Sequence, residues 1–388
     1  MNPIRPRLAL VHPWLQASGG SEPVALWAAQ ALKDEYEVRI VTMGETRLDD
    51  LNAAYGTDLT EPGVGVIRFP IPRILEKRGD ALRGGRLARY MRAHAAEYDV
   101  LLSSYNIMDF RRPGLQYISD FSFSDPLRRA VMKNALEWKN GWSRAGVLRR
   151  AYLALARRWG GQTTEGWKRN ATMANSDWTR RLMAEVFGVE AAVVYPPVPA
   201  IAVSVPWERR AEGFVSIGRL VPEKRVPEMM DILDRVRKKN EAIHYHIVGG
   251  ALHPSYGRVV GEKARACGDW VTLDGPLFGR SKADLLGGHR YGMTGCRHES
   301  FGIAAAEMVL AGMIVWVPAS GGQVEIVDHP DLVYFNAADA ADKITRVLND
   351  PERQSVLRAH LARRARSFST ARFMDQIRAK VAEFLRSR

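Results

Sequence analysis

Short apolar runs alternate with helical segments along the first half of the sequence. Apolar runs of this length, separated by helices, are typical of parallel strands that are buried on both faces of a sheet. An α/β chain with a parallel, doubly wound sheet is therefore expected. The predicted strands of this half are residues 7–12, 36–43, 64–70, 98–104, 114–118, 171–175 and 193–198.

The same alternation resumes after a stretch with prolines and mixed charge at residues 201–212, which we interpret as a hinge. A chain of 388 residues with 46% hydrophobic content can bury two or three cores. The sequence predicts a first domain at residues 1–200 and a second at residues 213–367. Predicted strands of the second domain are residues 214–217, 243–250, 271–275 and 313–318.

The formal net charge of +13 indicates anionic partners, such as nucleotide phosphates, lipid head groups or nucleic acid. No apolar run is long enough to span a bilayer, and the apolar run near the start is too short for a secretory signal. Cys267 and Cys296 lack metal-ligand spacing and favour a reducing setting. We expect a cytoplasmic protein.

The segment HESFGIAAAE at residues 298–307 predicts a loop that becomes a helix. Two carboxylates eight positions apart cannot share one helical face, so Glu299 is expected on the loop and Glu307 on the helix. Backbone N–H groups of Phe301, Gly302 and Ile303 would then point from the positive end of the helix dipole toward an anionic or hydroxylated ligand. The alternative is a capped helix whose Glu307 is solvated.

Arg219 and Lys224 follow the first predicted strand of the second domain, after Gly218. A planar guanidinium and an ammonium are the side chains that bind phosphate groups. Surface charge is the alternative for both. Gly249 ends the next strand, where a turn at the strand end is expected to form a nucleotide-binding wall.

The segment at residues 298–307 resembles the Glu-x7-Glu signature of the retaining glycosyltransferases of family 4, usually E-x-F-G-x-x-x-x-E. GRLVPEK at 218–224, IVGG at 247–250, VTLDGPL at 271–277 and GGQVEIV at 321–327 match that family in the same order. The resemblance implies the GT-B fold, with two Rossmann-like domains facing a central cleft. It also implies that the last helix, at residues 368–388, crosses back to the first domain.

The activity implied by this resemblance is sugar transfer from a nucleotide-diphosphate sugar to a hydroxyl acceptor, with retention of anomeric configuration. Glu307 would hold the ribose and Glu299 the sugar hydroxyls, while Arg219 and Lys224 would neutralise the leaving diphosphate. No D-x-D loop is apparent, so neither a metal nor another cofactor is expected. The other donor-site positions that the resemblance implies are Gly19, Gly20, Gly218, Gly249, Leu277, His298, Ser300, Phe301, Gly302 and Ile303.

In the first half, Gly19 and Gly20 separate a strand from a helix that opens at residues 21–23, which is typical of a nucleotide-type turn or of an ordinary structural one. The form GGSE is similar to the family's GGxE loop. Polar residues at the carboxyl ends of strands are expected at the rim of the sheet, namely His12, Tyr105, Asn106 and Asp120.

Relatives often carry a histidine after the strand that corresponds to GLQYI, where this chain has Ser119 or Asp120. Asp120 is the candidate for the polar catalytic helper. NSDWT at 175–179 and VVYPP at 193–197 resemble mannosyltransferases of lipid-linked oligosaccharide assembly. That similarity favours GDP-mannose, although UDP-sugars use the same motifs.

Residues 126–160 carry many Arg and Lys side chains interleaved with Trp and Tyr. Leu148, Tyr152, Leu155 and Trp159 recur at helical spacing, which predicts a basic amphipathic helix. This helix could contact an anionic membrane surface, so that a cytoplasmic enzyme is peripheral to the membrane. It could equally pack its aromatic stripe into the first domain.

Two other classes of function fit parts of the sequence. A GT-B epimerase or phosphorylase would need general acid and base groups or a phosphate-binding cofactor site, and neither matches the motifs. A non-enzymatic basic protein that binds membrane or nucleic acid would not need Arg219, Lys224, Glu299 and Glu307 together. Nucleic acid is therefore not an expected partner.

Overall fold

The computed structural model describes residues 5–15, 20–43, 47–60, 63–69, 80–124, 127, 147–201 and 204–388. These residues divide into two compact units. The first comprises the described residues up to 197 together with Thr370–Arg388, and the second is Val198–Ser369.

The first unit is built on a seven-stranded parallel sheet in the order β3-β2-β1-β4-β5-β6-β7. Its strands are β1 Arg7–Trp14, β2 Glu37–Met43, β3 Val64–Phe69, β4 Val100–Ser103, β5 Leu115–Ile118, β6 Ala171–Ala174 and β7 Ala191–Val193. Its helices are α1 Glu22–Leu32, α2 Leu48–Tyr55, α3 Asp80–His94, α4 Val147–Gly160, α5 Thr164–Lys168 and α6 Asp177–Phe187.

Residues 8–11 of strand β1 form an uninterrupted apolar run because both faces of this sheet are covered. Leu8 and Leu10 belong to one core, and Ala9 and Val11 belong to the core on the opposite face. Successive side chains of a strand point to opposite faces, so a doubly covered strand cannot show the polar alternation of an exposed sheet.

The last helix of the chain, α14 (Thr370–Arg386), belongs to the first unit. Its side chains Phe373, Ile377, Val381 and Phe384 recur at helical spacing and are buried in the same core as Leu8. The expectation that the last helix packs on the first domain is confirmed.

The predicted strand at residues 193–198 is wrong, because the strand at this edge is Ala191–Val193. Pro196 and Pro197 lack a backbone N–H and cannot donate to a strand ladder. Val194 and Val198 are buried all the same, so the apolar pattern reports packing rather than strand pairing.

The second unit is built on a six-stranded parallel sheet in the order β10-β9-β8-β11-β12-β13. Its strands are β8 Ala211–Ile217, β9 Tyr245–Val248, β10 Val271–Gly275, β11 His289–Met293, β12 Ile314–Pro318 and β13 Val333–Tyr334. Its helices are α7 Val226–Arg237, α8 Pro254–Cys267, α9 Gly279–Gly288, α10 Ile303–Leu310, α11 Gln323–Val327, α12 Ala337–Leu348 and α13 Pro351–Ala365.

Both sheets have the strand order of the Rossmann fold, in which the third, second and first strands are followed by the fourth, fifth and sixth. The order reverses between β1 and β4 in the first unit and between β8 and β11 in the second. Ligands of such sheets bind beyond the carboxyl ends of the strands at this reversal. Among the helices of the described ranges, none combines the length and the apolar character needed to cross a membrane.

Candidate active site

A pocket lies in the second unit beyond the carboxyl ends of β8, β9 and β11, where the strand order reverses. The side chains that give it chemical character are Arg219, Lys224, Thr294, Glu299 and Gln323. Arg219 and Lys224 come from the segment after β8, Thr294 follows β11, and Glu299 lies on the loop before α10. The pocket therefore combines two cations with one carboxylate.

Glycine brings two strand ends together beneath this pocket. Gly218 and Gly249 have φ values of +147° and +151°, which disfavour residues with a side chain. A Cβ atom on Gly249 would lie 1.8 Å from the carbonyl oxygen of Gly218. The turn after β9 can approach the turn after β8 this closely because Gly249 lacks a side chain.

Lys224 and Glu299 form an ion pair in the pocket wall. Burial disfavours the ammonium of Lys224, but the adjacent Glu299 carboxylate outweighs burial, and the pKa of Lys224 is raised above its ordinary value. Burial by itself would raise the pKa of Glu299, yet the Lys224 ammonium, with smaller contributions from Cys296 and Arg219, lowers it. Both side chains are therefore charged at neutral pH.

The backbone of Glu299 is held by the loop that follows β12. The N–H of Gly322 donates to the carbonyl oxygen of Glu299 at 2.8 Å. Gly321 has φ +83°, and a Cβ atom there would lie 2.4 Å from the same carbonyl oxygen. Cys296 is buried beside the carboxylate, and burial with the Glu299 charge raises the pKa of its thiol to about 12, so it is a neutral hydrogen-bond donor.

Glu307 lies on α10, as the sequence predicts, and its partner is Lys282 of α9. Lys282 Nζ is 2.7 Å from Glu307 Oε1, and both side chains are largely covered, with 24% and 18% exposed. Helix α10 begins at Ile303, with Gly302 at its N-cap in the left-handed region at φ +107°. The N-cap position of this helix is occupied by Gly302 and not by Glu299 or Ser300, and Glu307 is paired rather than solvated.

Only some predicted donor-site residues line the pocket. Gly218, Arg219, Lys224, Glu299 and Gly302 do so. The side chain of Phe301 instead packs in the core against Phe368, with ring centroids 5.5 Å apart. Gly249, Leu277, His298, Ser300, Ile303 and Glu307 lie in the same unit but outside the pocket wall.

The sequence interpretation did not identify Gln323, Thr294 or Lys282 as residues of this region. Gln323 is fully buried and accepts a 2.7 Å hydrogen bond from Thr294 Oγ1, and its amide donates to the carbonyl oxygen of Cys296. Gln323 stands within the GGQVEIV segment, which could have identified it. Nothing in the sequence pairs Lys282 with Glu307.

Asp120 of the first unit is fixed by donors on both carboxylate oxygens. Tyr105 Oη donates to Oδ2 at 2.9 Å, and Asn106 Nδ2 and the Ser122 N–H donate to Oδ1 at 2.7 and 2.8 Å. The carboxylate and burial raise the pKa of Tyr105, burial being the larger cause. This cluster follows β4 and β5, at the rim where the sequence places it.

His12 and Glu22 lie close to the same cluster. The His12 ring is 5.6 Å from that of Tyr105 and its Nδ1 is 3.0 Å from Ser104 Oγ. Burial lowers the pKa of His12 to about 3, so the ring is neutral. Burial raises the pKa of Glu22, which Ser21 contacts through its N–H and hydroxyl. Gly20 forms an exposed bend before α1, and Gly19 lies outside the described residues.

The basic segment at 126–160 is described at residue 127 and from 147 onward, and the rest of that prediction lies outside the described residues. Helix α4 buries Ala156 and Gly160, and a Cβ atom on Gly160 would lie 2.7 Å from the Cα of Gly85. Leu155 and Trp159 are 62% and 41% exposed. The alternative in which the aromatic stripe packs into the first domain holds in part. Tyr152 is half-buried and its hydroxyl accepts a hydrogen bond from the Leu82 N–H at 3.3 Å, and Trp159 lies against Gly85, whereas Leu155 is exposed.

A search of protein-family models matches residues 204–368 to the glycosyl transferases group 1 family. Residues 204–368 form a glycosyl transferases group 1 domain. The predicted class of enzyme, a glycosyltransferase, is confirmed at the level of this domain, which contains the whole pocket. A search of curated protein sequences found no significant match.

Solved structures similar to the whole chain share its fold. Anabaena Alr3699/HepE in complex with UDP-glucose is 15% identical with a TM-score of 0.69, covering 98% of this chain and 100% of its own. WaaG, a glycosyltransferase involved in lipopolysaccharide biosynthesis, is 14% identical with a TM-score of 0.68, covering 95% and 98%. Sucrose-phosphate synthase from Thermosynechococcus elongatus is 15% identical with a TM-score of 0.70, covering 99% and 100%. At this identity the likeness shows the fold, which is GT-B as predicted.

Proposed function

We propose that this protein moves a sugar from a nucleotide-diphosphate sugar to a hydroxyl group of a glycan, glycolipid or natural-product acceptor, with retention of anomeric configuration. The observation that carries this proposal is the pocket at the strand-order reversal of the second sheet, where Arg219 and Lys224 lie with Glu299. A diphosphate needs fixed cations, and a sugar needs fixed hydrogen-bond acceptors. The pocket supplies both.

In this proposal Arg219 and Lys224 bind the diphosphate, and Glu299 accepts hydrogen bonds from the sugar hydroxyls. An ammonium has three N–H donors, so Lys224 can keep its ion pair with Glu299 and still donate to a phosphate oxygen. The N-terminus of α10 at Gly302 adds backbone N–H groups on the same side of the pocket. Glu307 binds the ribose hydroxyls, and Lys282 holds its carboxylate in place.

The bond between the anomeric carbon and the diphosphate oxygen breaks as the acceptor hydroxyl attacks from the same face. The acceptor proton passes to the departing phosphate, so no protein nucleophile is required. Negative charge grows on the diphosphate in the transition state, and cations that are already in place stabilise it most. We propose that Arg219 and Lys224 take the part that a divalent metal would otherwise have.

The donor is best sought first among UDP-sugars, because the structures of Alr3699/HepE hold UDP, glucose or UDP-glucose in a chain of the same fold. GDP-mannose comes second, from the similarity of the first half to mannosyltransferases of lipid-linked oligosaccharide assembly. Calorimetric titration with UDP-glucose, GDP-mannose and ADP-glucose tests the proposal. We expect one of them to bind, and failure of a wider panel of nucleotide sugars would contradict it.

Asp120 is the proposed polar helper on the acceptor side. Three donors from the first unit hold its carboxylate, which would give an acceptor hydroxyl a fixed partner. Glu22 is the comparison, since it is a buried carboxyl near Tyr105. Asp120→Asn should lower kcat more than Glu22→Gln does. A larger loss of kcat in Glu22→Gln would indicate that Glu22, and not Asp120, is the polar helper.

Retention and metal independence are each tested by one measurement. Proton NMR of the product reports the anomeric configuration before it equilibrates, and an inverted product would refute retention. Turnover of EDTA-treated enzyme should not rise when Mg²⁺ or Mn²⁺ is added. A strong rise in turnover would show that Arg219 and Lys224 do not replace a divalent metal in this reaction.

The competing functions predict different products. An epimerase would convert a nucleotide sugar without an acceptor, and a phosphorylase would require inorganic phosphate. A non-enzymatic protein would turn over no nucleotide sugar. We expect product only when a nucleotide sugar and a hydroxyl acceptor are both present.

We further propose that the protein is cytoplasmic and binds an anionic membrane surface through α4. Leu155 and Trp159 are exposed beside exposed Arg150, Arg157 and Arg158. Apolar side chains framed by arginines suit the boundary between lipid head groups and acyl chains. Such a surface would bring the enzyme to a lipid-linked acceptor.

A further inference from the structure

Three histidines meet in the second unit at a place that the proposed reaction does not use. His246 lies in β9, His244 stands just before it, and His289 opens β11. One ring nitrogen of each lies within 4.8 Å of the others, and His244 Nε2 is 3.1 Å from His289 Nε2. His244 and His289 stand at the amino-terminal ends of strands, whereas the pocket lies beyond the carboxyl ends.

A glycine in the intervening strand makes this meeting possible. Strands β9 and β11 are separated by β8, so their side chains would ordinarily be kept apart by a residue of β8. The residue at that place is Gly213, and a Cβ atom on it would lie 2.2 Å from His244 Nε2. The His244 ring therefore lies over the backbone of β8 and reaches His289.

Two of the three imidazoles, those of His246 and His289, have an outer partner on Nδ1. His289 Nδ1 is 2.7 Å from the carbonyl oxygen of Leu285, and His246 Nδ1 is 3.1 Å from both carboxylate oxygens of Asp274. His244 makes a backbone hydrogen bond to Ala242. Metal-binding histidines typically donate their second N–H to a carbonyl or a carboxylate in this way, which leaves Nε2 with a free lone pair.

The nitrogens of His244 and His289 that face each other lie close enough to share one ion. Their Nε2 atoms are 3.1 Å apart, a distance at which one neutral ring donates a hydrogen bond to the other in the matching tautomers. When neither Nε2 carries a proton, both lone pairs are available to the same cation.

We infer that His244, His246 and His289 bind one transition-metal ion of the Zn²⁺ type, with Asp274 orienting His246. Zn–N bonds of about 2.0–2.1 Å in a tetrahedron place ligand nitrogens about 3.3 Å apart, close to the separation of His244 and His289. Three imidazoles leave a fourth position for water. Imidazole ligands also suit Cu²⁺ and Ni²⁺, so the site selects a class of ion rather than one element.

The ion would join β9 to β11 across β8, so its expected effect is on the stability of the second unit. The proposed sugar transfer uses neither these histidines nor Asp274. Failure of the metal site therefore leaves the proposed function intact, and failure of the proposed function leaves the metal site intact.

Zn²⁺ titration of untagged, EDTA-treated and desalted protein tests the inference, with calorimetry for stoichiometry and thermal unfolding for stability. We expect one ion per chain and a higher Tm with Zn²⁺. His244→Gln and His289→Gln each remove one ligand and should weaken binding at least as much as loss of an outer partner does, about 10–100-fold. Asp274→Asn should weaken binding by about 10-fold or more.

His253→Gln is the matched control, because His253 is an exposed histidine of the same unit. It should bind Zn²⁺ as the unsubstituted protein does. Circular dichroism confirms that each variant is folded. Co²⁺ in place of Zn²⁺ should give the intense visible absorption of a tetrahedral site, and only in protein that keeps all three histidines.

Three results would overturn the inference. The first is no stoichiometric binding to the unsubstituted protein. The second is unchanged affinity in folded His289→Gln protein. The third is an equal loss in the His253→Gln control, which would indicate binding to scattered surface histidines.

Discussion

The ammonium group of Lys224 forms an ion pair with the carboxylate of Glu299, 75 residues later in the chain. Lys224 ends the one-turn helix that follows β8, and Glu299 lies on the loop before α10, so the pair joins two walls of the pocket. Each residue favours the charged form of the other, because the pKa of Lys224 is raised and that of Glu299 is lowered. The charges that the proposed reaction needs are in place before a ligand binds.

The ion pair between Lys282 and Glu307 predicts a split between donor affinity and turnover. If Glu307 binds the ribose, Glu307→Gln should raise the KM for the nucleotide sugar and leave kcat nearly unchanged. Loss of a hydrogen bond to a charged group costs about 1.5–3 kcal/mol, or about 10–100-fold in KM. Lys282→Ala should have a smaller effect in the same direction, because it only frees the carboxylate to move.

Steady-state kinetics with the donor varied measure this split. Asp231→Asn is the matched control, since Asp231 forms an exposed ion pair with Lys263 elsewhere in the unit. A fall in kcat for Glu307→Gln with KM unchanged would contradict a role in donor binding.

Gly321→Ala should displace Glu299 and lower turnover. The new Cβ would lie 2.4 Å from the Glu299 carbonyl oxygen, and φ at this position is +83°. Gly188→Ala is the control, because Gly188 is in the left-handed region at φ +61° with nothing within 4 Å of an added Cβ. Both variants should lose about 1–2 kcal/mol from the left-handed backbone, but only Gly321→Ala should lose more and also lose activity. Equal stability and activity in the two would refute the role of Gly321.

The buried His12 predicts a loss of stability in mild acid. Its pKa is about 3 in the folded protein against 6.5 for the free side chain. Below pH 6.5 the unfolded chain takes up a proton on His12 that the folded chain does not. The free energy of unfolding is therefore unaffected by His12 above pH 6.5 and falls by up to about 1.4 kcal/mol per pH unit below it. Thermal unfolding between pH 7 and pH 5 should therefore show a steeper fall in Tm for the unsubstituted protein than for His12→Gln. Parallel curves would contradict the assignment of a neutral, buried ring.

Helix α4 predicts binding to anionic membranes that depends on two exposed residues. The protein should float with liposomes that contain anionic lipid, and less with neutral ones, because arginines contribute part of the affinity. Leu155→Glu with Trp159→Glu should abolish flotation. Phe335→Glu is the control, since Phe335 is 72% exposed in the second unit. Unsubstituted protein that stays wholly in the soluble fraction at low salt would refute the membrane proposal.

Much of the fold follows from the sequence because parallel strands covered on both faces leave uninterrupted apolar runs. Strand β11, His289–Met293, was not among the predicted strands, and two further places differ for physical reasons. The run at 193–198 is apolar because it is buried, while its prolines prevent strand pairing. Strand β13 has two residues, Val333–Tyr334, which is too short to form any pattern.

The residues of the candidate site could be predicted where they lie in segments that resemble the family's motifs. Pairs of residues that are distant in sequence could not be predicted. Arg219, Lys224 and Glu299 stand in such segments, and the structure brings them to one pocket. The pairing of Lys282 with Glu307 depends on how α9 and α10 pack. The meeting of His244 with His289 depends on the strand order, which no spacing in the sequence encodes.

The turnover of Lys224→Ala, compared with Lys263→Ala, is the most direct test of the central claim that cations of this pocket stabilise the departing diphosphate. Each variant removes one ammonium from the second unit, but Lys263 lies in the ion pair with Asp231 and outside the pocket. We predict that Lys224→Ala lowers kcat by about 100–1,000-fold while Lys263→Ala stays near the unsubstituted rate. Folded Lys224→Ala protein that transfers sugar at the unsubstituted rate would contradict the account.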